Sequence, residues 1–186
     1  MQCAKILRVD KTGFPVSWVS PKEASSFIFN NRVLWSHGKE SVILNGGINR
    51  FGERSRLEIP AIIATDGRDK SANDTPALCR RVLYERDSYT CQYCSHKHSF
   101  SNLSMDHIFP QSRGGETSFT NLITSCKRCN NKKRDRTPEE AGMELLAIPF
   151  IPNRQEFLYL TNRRILNTDQ MDYLRSSIRD ELLIAA

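Results

Sequence analysis

The sequence contains no long uninterrupted run of hydrophobic residues, although 39% of its 186 residues are hydrophobic. A transmembrane helix needs about 20 consecutive apolar residues, so no membrane-spanning segment and no membrane partner are predicted. The first ten residues, MQCAKILRVD, are interrupted by charge too early for a secretion signal. Internal repeats and low-complexity tracts are also absent. These absences predict a cytoplasmic globular protein with one domain, or with one core and appended elements.

Acidic residues are in deficit, because 27 lysines and arginines accompany only 21 aspartates and glutamates, for a net charge of +6. A basic protein favours a polyanionic partner, since each neutralised phosphate releases condensed counterions. The excess is concentrated between residues 127 and 136, where the only anion is Asp135. The cations of this run are Lys127, Arg128, Lys132, Lys133, Arg134 and Arg136. A solvated helix face is the alternative interpretation of the run.

Histidine is scarce, with four in the chain, but cysteine occurs in two matched pairs, Cys91-Gln-Tyr-Cys94 and Cys126-Lys-Arg-Cys129. In a reducing cytosol, such pairs indicate a metal site and not disulfides. Four thiolates close the tetrahedron of Zn²⁺, so the zinc is predicted to be structural and the chemistry to lie elsewhere. Free or redox-active cysteines are the alternative, and His96 or His98 could replace one cysteine as a ligand.

Residues 1–70 are predicted to form a small α+β unit. Strands are expected over 5–10, 14–19, 41–44 and 57–64, with Asn45-Gly46-Gly47 as a turn. Ser20-Pro21-Lys22-Glu23 is typical of a capping box at the start of a helix. The polar segment 65–75 is the predicted linker. Cys3 and Cys79 lack metal-binding spacing and are interpreted as small buried residues.

Residues 75–145 and 146–186 are predicted as a second domain and a C-terminal helical extension. In the second domain we expect helices from Thr75 to about Glu85, over 126–134 and at 137–140, and a strand over 103–108. Thr168 is expected to cap the last helix. Its apolar stripe comprises Met171, Leu174, Ile178 and Leu182. We interpret the stripe as core packing, with a homodimer face as the alternative.

Three further motifs lie between and beside the cysteine pairs: Asp106-His107-Ile-Phe-Pro110-Gln-Ser-Arg-Gly114-Gly115, Thr120-Asn121-Leu-Ile-Thr-Ser-Cys126 and Cys129-Asn130-Asn-Lys-Lys133. In order and spacing, they resemble the HNH endonucleases over roughly residues 76–145. The last motif has asparagine where the family name has histidine. The resemblance implies an α+β fold class, with a ββα-metal nuclease core that surrounds one divalent ion and is stapled by a four-cysteine zinc.

The resemblance also implies roles for individual residues. His107 would be the general base, because a neutral imidazole can accept a proton from water near pH 7. Asp106 and Asn130 would bind the catalytic ion through oxygen, which suits Mg²⁺ or Mn²⁺. Asn121 would orient the imidazole through its side-chain carbonyl. The residues expected to contact DNA are Arg113, Lys127, Arg128, Lys132, Lys133 and Arg134.

The leading hypothesis is therefore a metal-dependent DNA endonuclease that leaves 5′-phosphate and 3′-hydroxyl ends, as the family implies. A non-catalytic, zinc-dependent nucleic-acid-binding protein is the second hypothesis, and a nuclease directed at RNA is the third. One geometric condition applies to all catalytic versions. Neighbouring residues of a regular strand face opposite sides, so Asp106 and His107 share a site only if the strand twists or ends there.

Overall fold

The computed structural model describes residues 4–66 and 76–184, which form six strands, six α-helices and two short 3₁₀ helices. These residues divide into two compact units. Unit 1 contains residues 4–66 and Arg154–Ile178, and unit 2 contains residues 76–153 and 179–184. The predicted C-terminal extension is thus divided between the units. Cys3 and residues 67–75 of the predicted linker lie outside the described residues.

Unit 1 is built on a four-stranded sheet in the order β2-β1-β4-β3. The strands are β1 (Ile6–Val9), β2 (Pro15–Val19), β3 (Val33–Ile48) and β4 (Arg54–Thr65). β1 is antiparallel to β2 and parallel to β4, whereas β3 and β4 form a long antiparallel hairpin. All four predicted strands are confirmed, but the two hairpin strands are longer than predicted.

The turn of this hairpin lies beyond the predicted position. Asn45-Gly46-Gly47 is part of β3, so the predicted turn there is wrong. The chain turns after Asn49, whose Oδ1 accepts hydrogen bonds from the backbone N–H groups of Phe51 (2.9 Å) and Glu53 (3.0 Å). Gly52, with φ of +83°, supplies the left-handed residue of the turn. The local asparagine turn therefore prevails over the glycine pair.

Helix α1 (Pro21–Phe29) begins at the predicted capping box. Ser20 Oγ accepts from the Glu23 N–H at 3.2 Å, and Glu23 Oε2 accepts from the Ser20 N–H at 2.6 Å. The backbone N–H of Ser20 lowers the pKa of the Glu23 carboxyl. Ala24 of this helix packs with buried residues of the sheet, such as Ile6 and Ile59, to form the core of unit 1.

Two later helices, α4 (Arg154–Asn162) and α5 (Thr168–Arg175), also belong to unit 1. α4 was not anticipated from the sequence. α5 is capped by Asn167 and not by Thr168, because Asn167 accepts from the Gln170 N–H at 2.9 Å. The buried Gln170 side chain donates to the carbonyls of Lys5 (2.7 Å) and Ala61 (3.0 Å), which holds α5 against the sheet.

Unit 2 contains helix α2 (Arg80–Arg86), strands β5 (Leu103–His107) and β6 (Leu122–Cys126), and helices α3 (Lys127–Lys133) and α6 (Asp180–Ile184). β5 and β6 form an antiparallel hairpin, and α3 follows β6 directly. The core of the unit is a cluster of buried residues from these elements, Leu83, Tyr84, Leu103 and Leu122. This strand–strand–helix arrangement confirms the predicted α+β class.

Three local predictions for unit 2 are corrected. α2 begins after Cys79, which is its N-terminal cap, so the helix is shorter than predicted. Cys79 is exposed, so its interpretation as a buried residue is wrong. Residues 137–140 form a turn and not a helix, and Gly142, with φ of +62°, ends the turn in a left-handed conformation. The capping contact from the Glu140 N–H to Thr137 Oγ1 is present at 3.3 Å without a helix behind it.

A buried arginine connects α2 to the β5–β6 hairpin. Arg86 is 4% exposed and donates to the carbonyls of Phe119 (2.7 Å) and Leu122 (2.8 Å). It also forms an ion pair with Asp87 at 2.7 Å, and Asp87 accepts from the Thr124 N–H at 2.7 Å. These bonds hold the start of β6 in place. No helix of the described ranges 4–66 and 76–184 has the length and apolar character needed to cross a bilayer.

Candidate active site and metal centre

The four paired cysteines converge in unit 2. The Sγ atoms of Cys91, Cys94, Cys126 and Cys129 all lie within 4.8 Å of one another. Cys126 ends β6 and caps α3, so its neighbour in the pair falls in the first turn of the helix. Tetrahedral zinc with four sulfur ligands places them about 3.8 Å apart, so this donor set fits Zn²⁺. His96 and His98 are not members of the cluster.

Three of the four thiols lie in environments that shift their pKa. Burial raises the pKa of the Cys94 and Cys129 thiols. Burial also acts to raise the pKa of Cys91, but hydrogen bonds from backbone N–H groups lower it overall. A bound divalent ion would lower the pKa of every ligand thiol, because it favours the thiolate form. Cys91 and Cys126 are buried, which leaves the cluster largely closed to solvent on their side.

Asp106 and His107 are the last two residues of β5, opposite Ile123 and Leu122 of β6. The strand ends at His107, which meets the geometric condition stated for a shared site. Both residues line a cavity of about 270 Å³, together with Asn130 and Lys133 of α3. The structure therefore brings the three residues predicted to bind the ion and the water, Asp106, His107 and Asn130, to one cavity from the end of one strand and from one helix.

The carboxylate of Asp106 is 5% exposed and held at both oxygens. Oδ2 accepts from the Tyr93 hydroxyl at 2.6 Å, and Oδ1 accepts from Lys133 Nζ at 3.2 Å. Each carboxylate oxygen has a second lone pair, so the group can still bind a cation. Tyr93 was not singled out from the sequence, and its place between two cysteine ligands is the signal that draws attention to it.

The imidazole of His107 contacts the loop that follows β5. Its Nε2 lies 3.1 Å from Thr117 Oγ1, while its backbone carbonyl accepts from Lys133 Nζ at 2.6 Å. Nδ1 has no hydrogen-bond partner within residues 4–66 and 76–184. One ring nitrogen is thus anchored and the other is available. No sequence signal identified Thr117 as a neighbour of the histidine.

Asn121 is near the site but does not form the predicted hydrogen bond with the imidazole. Its Oδ1 accepts from the Phe109 N–H at 2.8 Å. Its Nδ2 donates to the carbonyls of Glu116 (2.8 Å) and Phe109 (3.1 Å). The expectation of direct contact is therefore corrected: Asn121 braces the loop between β5 and β6. That loop carries Thr117, so any influence of Asn121 on His107 is indirect.

Asn130 of α3 lies half-buried on the cavity wall. Its Nδ2 donates to Ser104 Oγ at 2.9 Å, which fixes the orientation of the amide. No donor from the described part of the chain reaches its Oδ1. A carboxylate and an amide oxygen on one cavity are hard donors, so Asp106 and Asn130 fit a Mg²⁺ or Mn²⁺ ion.

Lys133 requires a correction. It was expected to contact DNA phosphates, but it is fully buried, and its ammonium bonds to Asp106 and to the His107 carbonyl. With this burial and these partners, the ammonium is not part of the exposed groove that the other cations line. Its contacts instead tie the end of α3 to the end of β5. The two adjacent lysines differ because neighbouring side chains on a helix point about 100° apart. Lys132 therefore faces solvent while Lys133 faces the protein interior.

The remaining predicted DNA contacts fall into three environments. Lys127, Arg128 and Lys132 are exposed and line a groove of about 1110 Å³, which Lys97 also lines. Arg134 lines the cavity beside Asp106. Arg113 is engaged by Glu140 through contacts of 2.9 and 2.7 Å, which lower the pKa of the Glu140 carboxyl. Lys97 was not predicted as a DNA contact because it lies outside the basic run of residues 127–136.

Parts of the chain are similar in sequence to known endonucleases. A family model described as HNH endonuclease matches residues 91–146. The CRISPR-associated endonuclease Cas9 of Corynebacterium diphtheriae is 42% identical over 113 residues, which cover 55% of this chain and 10% of that protein. The chain thus spans about a tenth of the length of this curated relative.

Among solved structures, the Type II-C Cas9 enzyme from Actinomyces naeslundii matches with 23% identity and a TM-score of 0.29. The match covers 62% of this chain and 14% of that one. The segment that matches the family model contains the cysteine cluster, Asp106, His107, Asn121 and Asn130. The match of the family model confirms the resemblance to the HNH endonucleases over residues 91–146.

Proposed function

We propose that the protein is a metal-dependent endonuclease that hydrolyses DNA phosphodiester bonds. The observation that carries the proposal is that Asp106, His107 and Asn130 line one cavity. They do so within the segment that matches the HNH endonuclease family. An inert nucleic-acid-binding protein would need the zinc site and the basic groove, but not this grouping of imidazole, carboxylate and amide.

In this proposal His107 is the general base. The Thr117 hydroxyl would accept a hydrogen bond from Nε2–H, which fixes the tautomer with an unprotonated Nδ1. Nδ1 would then take the proton of the attacking water. A base must lie within hydrogen-bond reach of that proton, and the open cavity beside His107 provides room for the water and the phosphate.

Two metal sites have different roles. Asp106 and Asn130 would hold one Mg²⁺ or Mn²⁺, which when bound supplies charge neutralisation on the phosphate and assistance to the leaving oxygen. The four cysteines would hold a structural Zn²⁺, because four thiolates leave no coordination position for a substrate. Tyr93 and Lys133 keep the Asp106 carboxylate in place through one hydrogen bond to each oxygen.

The substrate is proposed to bind along the basic groove. Lys97, Lys127, Arg128 and Lys132 line it, and together they form a surface suited to a phosphate backbone. Phosphate contacts position a nucleic acid and do not read its sequence. DNA is proposed as the substrate because of the family resemblance, with RNA as the alternative polyanion.

The test is a nicking assay on supercoiled plasmid with Mg²⁺ or Mn²⁺. We expect the wild-type protein to cut, and His107→Ala to lose at least about 100-fold in rate, since a general base contributes roughly 10²–10⁴-fold. DNA binding, measured by fluorescence anisotropy, should be retained. His37→Ala, which removes an exposed histidine of unit 1, is the matched control and should cut normally.

Three outcomes of this assay are decisive. Near-normal cutting by His107→Ala would eliminate the proposed base. Binding without cutting by the wild-type protein would favour the non-catalytic binding protein. Cleavage of a labelled RNA in preference to the same sequence of DNA would move the substrate from DNA to RNA.

A further inference from the structure

One hydrogen bond joins the cysteine cluster to the proposed catalytic carboxylate. Tyr93 lies between Cys91 and Cys94, and its hydroxyl donates to Asp106 Oδ2 at 2.6 Å. The backbone beside it is held by its own bonds, since the Gln92 N–H donates to the Thr124 carbonyl at 2.9 Å and the Cys91 N–H to the His96 carbonyl at 2.9 Å. A rigid cysteine loop therefore presents the hydroxyl to β5.

The position of Asp106 depends on this contact because few other groups restrain the carboxylate. Lys133 Nζ bonds to Oδ1 at 3.2 Å, and the Tyr93 hydroxyl takes Oδ2. With one donor on each oxygen, rotation of the carboxylate about its terminal bond is restricted. Removal of the hydroxyl leaves only the hydrogen bond from Lys133, which is the longer of the two.

We propose that Tyr93 is a positioning residue that sets the affinity of Asp106 and Asn130 for their divalent ion, and that it does so by transmitting the geometry of the zinc loop. This inference rests on the proposed function for the identity of that ion site. Tyr93 does not line the cavity that Asp106 and Asn130 share. Groups that hold a metal ligand from behind typically affect metal affinity or activity by 10–100-fold when they are removed.

A consequence is that the two metal sites are coupled. Tyr93 lies in the loop that Cys91 and Cys94 anchor, and its ring lines the basic groove beside Cys94 and Cys129. Zinc bound to the cysteines would keep the loop in place and so keep the hydroxyl on Asp106. Loss of zinc would release the loop and, with it, the hydrogen bond from the Tyr93 hydroxyl to Asp106. The structural ion would then contribute to catalysis without any contact to substrate.

The test uses Tyr93→Phe in the full chain, because phenylalanine keeps the ring and removes only the hydroxyl. Mn²⁺ binding to the zinc-loaded protein is measured directly by electron paramagnetic resonance of free Mn²⁺. We expect the dissociation constant to rise about tenfold. Zinc content and melting temperature should stay within error of wild type, a result that a merely structural role of the hydroxyl would not produce.

Tyr89→Phe is the matched control. It removes a hydroxyl of the same unit, which donates to Glu85 Oε1 at 2.9 Å, and it should leave Mn²⁺ affinity unchanged. In the cleavage assay, Tyr93→Phe should need about tenfold more Mn²⁺ for half-maximal rate and recover most of its rate at saturating Mn²⁺. That pattern separates weaker ion binding from damage to the base.

The outcomes are distinguishable from failure of the proposed function. Unchanged Mn²⁺ affinity in Tyr93→Phe overturns the inference. Loss of zinc from Tyr93→Phe but not from Tyr89→Phe also overturns it, because the hydroxyl would then serve folding of the cysteine loop. If wild type binds Mn²⁺ through Asp106 and Asn130 but cuts nothing, the nuclease proposal fails while the role of Tyr93 stands.

Discussion

Two adjacent lysines at the end of α3 occupy opposite environments. Lys132 is exposed and lines the basic groove, whereas Lys133 is buried against Asp106 and the His107 carbonyl. From the sequence the two are equivalent members of a basic run. The resemblance to the HNH endonucleases singled out Asp106, His107 and Asn130, but the burial of one lysine depends on which side of α3 packs on β5.

This difference predicts separate effects of two substitutions. Lys132→Ala should weaken DNA binding and reduce the salt slope of log Kd by about 1, with no change in melting temperature. Lys133→Met should leave the salt slope unchanged but reduce the free energy of unfolding by about 3 kcal/mol or more, since it leaves Asp106 as a buried charge with one donor fewer.

The measurements are anisotropy titrations at several KCl concentrations and denaturant unfolding of both variants. A reduced salt slope for Lys133→Met with wild-type stability would contradict the burial of its ammonium. Each variant serves as the control for the other, because the two residues share a helix, a charge and a sequence context.

At the scale of elements, the loop between β5 and β6 is organised by one side chain. Asn121 bonds to the backbone of Phe109 and Glu116, and the Ile108 N–H donates to the Asn121 carbonyl at 2.8 Å. These contacts close the loop onto the start of β6. The resemblance predicted that the Asn121 side-chain carbonyl orients His107, but not that this side chain bonds to the loop backbone, because backbone partners have no sequence signature.

Asn121→Ala should therefore loosen the loop. We expect faster hydrogen exchange across residues 109–117 and a fall in cleavage rate of up to about 100-fold, since a displacement of about 1 Å in a catalytic group can cost that much. DNA binding and zinc content should be unchanged. Asn131→Ala, an exposed amide on α3, is the control. Unaltered exchange in the loop of Asn121→Ala would remove this role.

At the scale of the whole molecule, each unit has a separate core. The cysteine cluster lies in unit 2, while both tryptophans of the chain, Trp18 and Trp35, lie in unit 1.

The elements of unit 1 were predicted well where the sequence signal is local, as in the capping box that begins α1. The division of the C-terminal segment was not predicted, because it depends on contacts of α4 and α5 with strands more than 100 residues earlier, such as Gln170 with Ala61 at a separation of 109. A homodimer and a cytoplasmic location stay predictions.

Removal of the two metals should have different consequences. EDTA at moderate concentration should stop cleavage by removing Mg²⁺, with the fold and the zinc retained. Release of zinc by a thiol-directed mercurial should unfold unit 2, because structural zinc contributes about 10–16 kcal/mol of apparent binding free energy to folding. The far-ultraviolet circular dichroism signal should then decrease, because unit 2 loses its secondary structure. The tryptophan emission, which comes from unit 1, should change little.

Atomic absorption of the protein after each treatment is the accompanying measurement. Full-rate cutting after EDTA would exclude the cation mechanism. A retained unit 2 fold after complete zinc release would show that the β5–β6 hairpin and α3 are stable through their own core around Leu83 and Leu122.

The sequence by itself determined the cysteine site, the residues of the candidate active site and the fold class of unit 2. It could do so because the ligands come in pairs on single turns and because the site motifs follow one another in a short stretch of chain. Only the tertiary structure decided what holds Asp106: Tyr93 lies 13 residues before it and Lys133 lies 27 residues after it. Such partners are set by how strands and helices pack, and side-chain burial at that distance leaves no periodic trace in the sequence.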